Sequence, residues 1–323
     1  MRSKTFLITG GNGFLGSALI DRLMMEPDCS VVAPMRSRAG EYATGVRVLP
    51  FEGLNGANDW SHALADVDIV VHAAARVHVM DEVETDPIAA FREINVHATL
   101  NLARQAAVSG VKRFIFISSV KVNGEATGPG TAFRADDVPA PADAYGVSKF
   151  EAEQGLRQLA QVTGMEVVII RPVLVYGPGV KANFLSMMQW LARGVPLPFG
   201  SVRNRRSLVS VGNLVDLILT CAEHPGAANQ VFMASDGEDV STSELLRKVG
   251  LALGKTSHLL PVPVWMMERV SALIGRRSIS QRLFGSLQVD ISKNRQLLGW
   301  TPPISLDKGL DLTAKHFLET QKS

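Results

Sequence analysis

Two cysteines, Cys29 and Cys221, are all that the 323 residues contain, far apart and with no second pair. A disulfide framework and a cysteine-based zinc site are excluded, no metal is expected, and a reducing, cytoplasmic setting fits. Net charge is almost as scarce. The 33 basic residues against 31 acidic ones leave +2, too little for a general polyanion binder, so nucleic acid is not an expected partner. No stretch approaches the roughly 20 apolar residues that cross a bilayer, because charges or prolines interrupt each candidate. The opening Met1-Arg2-Ser3-Lys4 leads into an apolar run too brief for the core of a signal peptide. No membrane partner is expected. Repeats and low-complexity tracts are absent too, which points to one combined unit rather than an array.

What is present suits a packed globular protein. Hydrophobic residues make up 46% and charged residues 20%, enough to bury a sizeable core. At this length the chain divides into two unequal domains or forms one large α/β unit with a smaller lobe. Thr5 to Ile8 reads as a buried strand that turns through glycines into a helix with Leu15, Ala18, Leu19 and Leu23 near helical spacing. Further strands are expected at Val31 to Pro34, around Arg47 to Pro50, at Ile69-Val70-Val71, Phe114 to Ile117, Val167 to Ile170 and Val231 to Ala234. Helices are expected at Ile94 to Ser109, Ser148 to Gln161, Asn213 to Glu223 and Ser241 to Leu253, the last led by a capping serine with Glu244 three residues on. The alternation implies an α/β fold with a doubly wound parallel Rossmann sheet and a smaller, interleaved C-terminal substrate lobe. The expected division is a dinucleotide-binding domain over 1–172, returned to by about 208–234, with the lobe formed by 173–207 and 235–323.

The first turn carries the first chemical signal. Thr9-Gly10-Gly11-Asn12-Gly13-Phe14-Leu15-Gly16 lies between strand and helix, where glycines let backbone N–H groups approach a pyrophosphate at the helix N-terminus. Gly11, Gly13 and Gly16 satisfy GxGxxG; Gly10, Gly13 and Gly16 satisfy GxxGxxG. The acidic residue that meets the ribose hydroxyls of NAD is missing from the end of the second strand, where Pro34-Met35-Arg36-Ser37-Arg38 stands instead. Arg36, with Arg38, suits a 2′-phosphate and favours NADP(H), with NAD(H) as the alternative.

A second signal lies at Tyr145-Gly146-Val147-Ser148-Lys149, where a phenol and an ammonium share one helix face. A neighbouring ammonium and a cationic nicotinamide favour phenolate, so the tyrosine can exchange a proton with a hydroxyl or carbonyl. Ser118-Ser119 follow the strand Phe114 to Ile117 at its C-terminal end, the edge at which open parallel sheets bind ligands. Ser119 is placed to orient the reacting oxygen.

Several separated motifs now accumulate: Gly10 to Gly16, Asp68 to Ala75, Asn95, Ser118-Ser119, Tyr145 to Lys149, and Arg171 to Gly179. With them the chain resembles the extended short-chain dehydrogenase/reductases of the NDP-sugar epimerase, dehydratase and reductase group, over nearly its full length. The resemblance implies Ser119, Tyr145 and Lys149 as catalytic residues. It also implies cofactor contacts from Gly10, Gly13, Phe14, Leu15, Gly16, Leu54, Ala73, Ala74, Ala75, Asn95, Pro172 and Val175. His72 is assigned to packing. For the nucleoside diphosphate, UDP foremost, it implies Asn183, Arg206 and Arg282, and it implies a homodimer joined through two helices, one of them bearing Tyr145.

Departures from the family pattern bear on the reaction. Where 4,6-dehydratases carry Thr-Asp-Glu, this chain has Ser119-Val120-Lys121, which removes the acid pair that dehydration needs. The loop Lys121-Val122-Asn123-Gly124-Glu125 resembles that of reductases acting on UDP-4-keto-6-deoxy-N-acetylhexosamines, and Lys121 is a candidate contact to the sugar or its diphosphate. The expectation is NAD(P)H-dependent reduction at C4 of an NDP-linked 4-keto sugar in surface-polysaccharide precursor synthesis. The rivals are a UDP-hexose or UDP-N-acetylhexosamine 4-epimerase and a dinucleotide sensor without chemistry.

Overall fold

A parallel sheet covered by helices on both faces needs strands that are apolar throughout, and the strands here are of that kind. The computed structural model describes residues 3–35, 45–77, 86–273 and 283–321. Strand β1 (Lys4–Thr9) leads to helix α1 (Phe14–Leu23), β2 (Cys29–Met35) and β3 (Val46–Pro50); a short α2 (Ser61–Leu64) precedes β4 (Ile69–His72). Helices α3 (Pro87–Arg92) and α4 (Thr99–Val108) then lead to β5 (Arg113–Ile117), α5 (Ala144–Thr163) and β6 (Glu166–Pro172). After β7 (Leu174–Tyr176), α6 (Ala182–Ala192) and β8 (Arg206–Ser210) come α7 (Val211–Glu223), β9 (Val231–Ala234), β10 (Asp239–Val240) and α8 (Thr242–Ala252). The chain closes through helices Val264–Leu273, Ser292–Leu298 and Leu306–Thr320.

Seven strands form one parallel sheet in the order β3-β2-β1-β4-β5-β6-β9, the doubly wound α/β architecture read from the alternation. The order reverses beside β1, so a crevice opens at the carboxyl ends of β1 and β4. Register there is Thr9 opposite His72. Leu7, Ile8, Val70, Val71, Phe114, Phe116 and Ile170 are fully buried, each such side chain contributing roughly 1.5–3 kcal/mol over an exposed position.

Two helices begin earlier than their apolar periodicity indicates. Asp86 caps α3, accepting from Ala89 N at 3.2 Å with Pro87 as first helical residue, and a π turn over Glu93–Ala98 joins α3 to α4 and turns Asn95 inward. Helix α5 begins at Ala144 because Asp143 accepts from Gly146 N at 2.7 Å, and it ends at Gly164, in the left-handed conformation with φ 74°. Cap chemistry sets both starts. The expected capping box of Ser241 and Glu244 opens α8.

Strands β10, β8 and β7 form a second, three-stranded sheet. Around it Tyr176, Phe184, Met188, Leu246, Leu310 and Phe317 build a second apolar cluster. Main-sheet architecture resumes with α7 and β9, so β8 belongs to the small sheet. The two sheets meet at a buried polar joint. Tyr176 Oη donates to Asp236 Oδ2 at 2.8 Å, while Asp236 Oδ1 accepts from Ser210 N at 2.8 Å and Asn213 Nδ2 at 2.6 Å. Asn213 in turn exchanges two bonds with the backbone of Ile304, at 2.7 and 2.9 Å. Burial raises the proton affinity of both Tyr176 and Asp236. Tyr176→Phe removes one donor from the buried Asp236 carboxylate; urea denaturation is expected to show a loss of about 1–3 kcal/mol.

Candidate active site

The loop after β1 is drawn tight by its glycines. Gly10 has φ +75°, and a Cβ there would lie 2.9 Å from Ala74 N; a Cβ on Gly16 would lie 2.1 Å from Gly10 O. Glycine is required at both positions because this turn packs on itself and on the segment after β4. Helix α1 starts from Gly13 with no side-chain cap and no acidic residue in its first turn. Its leading N–H groups and positive dipole end therefore suit an anion, and the residues present fit the pyrophosphate of a dinucleotide. Ala73, Ala74 and Ala75 lie half-buried beside the loop, with Ala74 N donating to Thr9 Oγ1 at 3.3 Å.

His72 is the bolt between these strands. Its ring exchanges hydrogen bonds with Thr9 Oγ1 at 2.7 Å and Thr99 Oγ1 at 2.9 Å, and it stacks on Phe116. Burial, helped by the Lys149 charge, holds its pKa down at about 3, so it stays neutral through the physiological range. Asn95, expected at the cofactor, is bonded to the backbone just after Ala75. Its amide accepts from Arg76 N at 2.9 Å, donates to Arg76 O at 3.1 Å and reaches Ser148 Oγ at 3.0 Å. One side chain thus ties the loop after β4 to helix α5.

Ser119 and Tyr145 meet, and Lys149 follows one turn along α5. Ser119 is half-buried at the C-terminal end of β5 and hydrogen-bonds the Tyr145 side chain. Phe91 of α3 meets the tyrosine ring edge-on, with centroids 6.1 Å apart. Lys149 is 1% exposed, and its ammonium lies 4.2 Å over the Phe116 ring. Burial, with the Asp143 carboxylate second, pushes Tyr145 up to about 12. Burial pushes Lys149 down to about 7, against the opposing pull of Glu153. In this structure both groups lean toward neutrality, so a phenolate needs added positive charge at the site.

Beneath them lies a charged cluster that the sequence reading passed over. Glu153 and Arg171, each 1% exposed, are paired at 2.9 and 2.5 Å. Ser118 Oγ donates to Glu153 at 2.5 Å, and Arg171 also donates to Asn123 Oδ1 at 2.9 Å. Two signals could have found it: Tyr145, Lys149 and Glu153 fall at successive intervals of four, and a charged Arg171 directly follows the apolar run Val167 to Ile170 within one strand.

Other expected site residues lie farther out or have other partners. The Lys121 ammonium pairs with Asp143 and, at 3.1 Å, with Glu125. Asn183 is exposed in the first turn of α6. Arg206 lies in β8 and donates to Gly285 O at 3.1 Å, and burial lowers its proton affinity. Pro172 is buried at the end of β6, Val175 half-buried in β7, and Leu54 packs half-buried against the main core. Arg36, Arg38 and Arg282 lie outside the described residues.

The buried ammonium has a thermodynamic cost. Between pH 7 and 10.5 the unfolded chain holds a proton on Lys149 that the folded chain releases, so this cost is full below pH 7 and fades as pH rises. Lys149→Met is expected to abolish turnover yet raise stability near pH 6 by roughly 1 kcal/mol or more. Thermal melts across pH check this, and the gain should shrink toward pH 10.

The chain matches the NAD dependent epimerase/dehydratase family over residues 6–234. It is 50% identical over 319 residues to the UDP-glucose 4-epimerase of Vibrio cholerae, covering 98% of this chain and 96% of that protein. Among solved structures, the UDP-glucose 4-epimerase of Thermotoga maritima with UDP-glucose has a TM-score of 0.78 at 24% identity, covering 98% of this chain and 99% of that one. The UDP-glucuronic acid 4-epimerase of Bacillus cereus in complex with NAD has a TM-score of 0.77 at 22% identity, with 98% and 99% covered. These two structures speak to the fold, whereas the family match and the Vibrio cholerae relative span sequence and site alike. By that family match and that relative, the chain belongs to the NAD dependent epimerase/dehydratase family of enzymes.

Proposed function

We propose that the chain is a UDP-sugar 4-epimerase that keeps NAD bound through its cycle. The observation that carries this reading is the 50% identity to the Vibrio cholerae UDP-glucose 4-epimerase across almost the whole of both chains. The presence of Ser119, bonded to Tyr145, and of Lys149 one turn along the same helix supports it, because inverting C4 requires a proton to leave O4 and return. Tyr145 takes that proton and gives it back, Ser119 holds the oxygen, and the Lys149 ammonium favours the phenolate. A nicotinamide held there would supply reversible hydride chemistry at C4, and the cycle would consume no external reductant. Gly10, Gly13 and Gly16, the first turn of α1 and Ala73 to Ala75 hold the dinucleotide, with Pro172 and Val175 on the nicotinamide side. Asn183, Arg206 and Arg282 are assigned to the diphosphate, and the same reading carries a homodimer joined through α4 and α5.

From sequence, 4-ketoreductase ranked first, on Arg36 and on the loop after Ser119. Arg36 lies outside the described residues, and the Lys121 charge in that loop is engaged by Asp143 and Glu125. The preference for epimerisation rests on the Vibrio cholerae relative.

Purified protein incubated with UDP-glucose or UDP-N-acetylglucosamine, without added cofactor, is expected to form the C4 epimer, and mass spectrometry of the denatured protein is expected to find NAD. NADPH consumption with a UDP-4-keto-6-deoxy sugar and no epimerisation would return the reductase reading. Cofactor binding without any turnover would favour a sensor. Tyr145→Phe is expected to lower kcat at least about 100-fold, in line with loss of a positioned acid–base group.

A further inference from the structure

Lys121 stands at the junction of the two elements that carry the catalytic groups. Its own N–H donates to Ser119 Oγ at 3.2 Å, within the short turn Val120–Val122 that continues from β5. Its carbonyl lies against the first turn of α5 so closely that a Cβ on Gly146 would fall 2.8 Å from it. Its ammonium then crosses to Asp143, whose other carboxylate oxygen caps α5 through Gly146 N. One residue thus touches the Ser119 turn through its backbone and the Tyr145 helix through its charge.

Asp143 lies two residues before Tyr145, and its negative charge opposes phenolate formation there. Groups facing the phenol from other elements are the Ser119 hydroxyl and Phe91 of α3, over which the Arg76 guanidinium lies at 5.8 Å; Lys149 lies one turn along the same helix. Arg92 of α3 and Glu151 of α5 are bonded to each other, and Glu153 and Arg171 pair beneath Lys149. Glu125 meets Lys121 from the turn side.

We propose that Lys121 is a positioning residue whose ion pair with Asp143 clamps the Ser119 turn to the first turn of α5 and offsets the carboxylate charge facing Tyr145. This rests on the reading of Tyr145 as the proton-transfer group. It assigns to Lys121 a role other than sugar contact and explains a lysine at a position that carries acid in dehydratases.

The test is a charge cycle. Lys121→Met leaves Asp143 uncompensated, so the acidic limb of the kcat/KM pH profile is expected to move up by about half a unit, a roughly threefold loss on that limb. Asp143→Asn keeps a capping oxygen but removes the charge, and should move the limb down. The double variant should return close to wild type, and Lys121→Arg should retain the wild-type profile. An unchanged limb with a raised KM in Lys121→Met would overturn the proposal in favour of substrate contact. An unchanged limb with a lowered Tm and kcat would overturn it in favour of a purely structural pair.

A readout independent of turnover separates this proposal from the epimerase reading. The chain holds three tyrosines, Tyr42, Tyr145 and Tyr176. The 295 nm phenolate titration of NAD-loaded protein, minus the same titration of its Tyr145→Phe counterpart, isolates Tyr145. Its transition should move up in Lys121→Met and down in Asp143→Asn whichever sugar the enzyme accepts; a transition unmoved in both variants would sink the electrostatic role.

Discussion

A buried ion pair organises the catalytic side of this molecule. Glu153 and Arg171 sit almost without solvent contact on α5 and β6, where either charge alone would be costly and the two together are held by further hydrogen bonds. Arg171 also donates to Asn123 and the Ala135 carbonyl, and Glu153 accepts from Ser118, so the segment after β5 is bonded to the tyrosine helix through this pair. The geometry that puts Ser119 beside Tyr145 is the upper surface of that network.

The same low-polarity surroundings govern the proton chemistry. His72 remains neutral and serves only to bond Thr9 to Thr99, while Lys149 is pushed down and Tyr145 up. Surroundings of this kind disfavour the charged form of each group. The cost is carried by a sheet whose central strands are buried on both faces and by a second apolar cluster that closes over the small sheet.

Asn95 and Lys121 show how much of the site lies outside the reacting groups. One joins the loop after β4 to α5 and the other joins the turn after β5 to the same helix. Helix α5 is therefore registered from two sides as well as from beneath. This level of positioning keeps reacting atoms within the narrow tolerances that acid–base chemistry demands.

Much of the fold was legible in the sequence because apolar runs of four to six residues between helical periodicities admit few architectures other than a parallel sheet. The glycine loop was equally plain, since strand, turn and helix lie together in the chain. Helix starts were misjudged at Asp86 and Asp143, where a cap and not an apolar stripe marks the boundary. The Glu153–Arg171 pair, the Asp143 partner of Lys121 and the bridging role of Asn95 depend on side chains 18 to 53 residues apart meeting in space; local patterns flag such residues but do not pair them. What the sequence by itself determined was the sheet, the cofactor turn and the identity of the tyrosine, lysine and serine, all properties of contiguous segments. Only the tertiary structure decided how those groups are charged and held, because burial and ion pairing arise between segments that the chain order keeps apart.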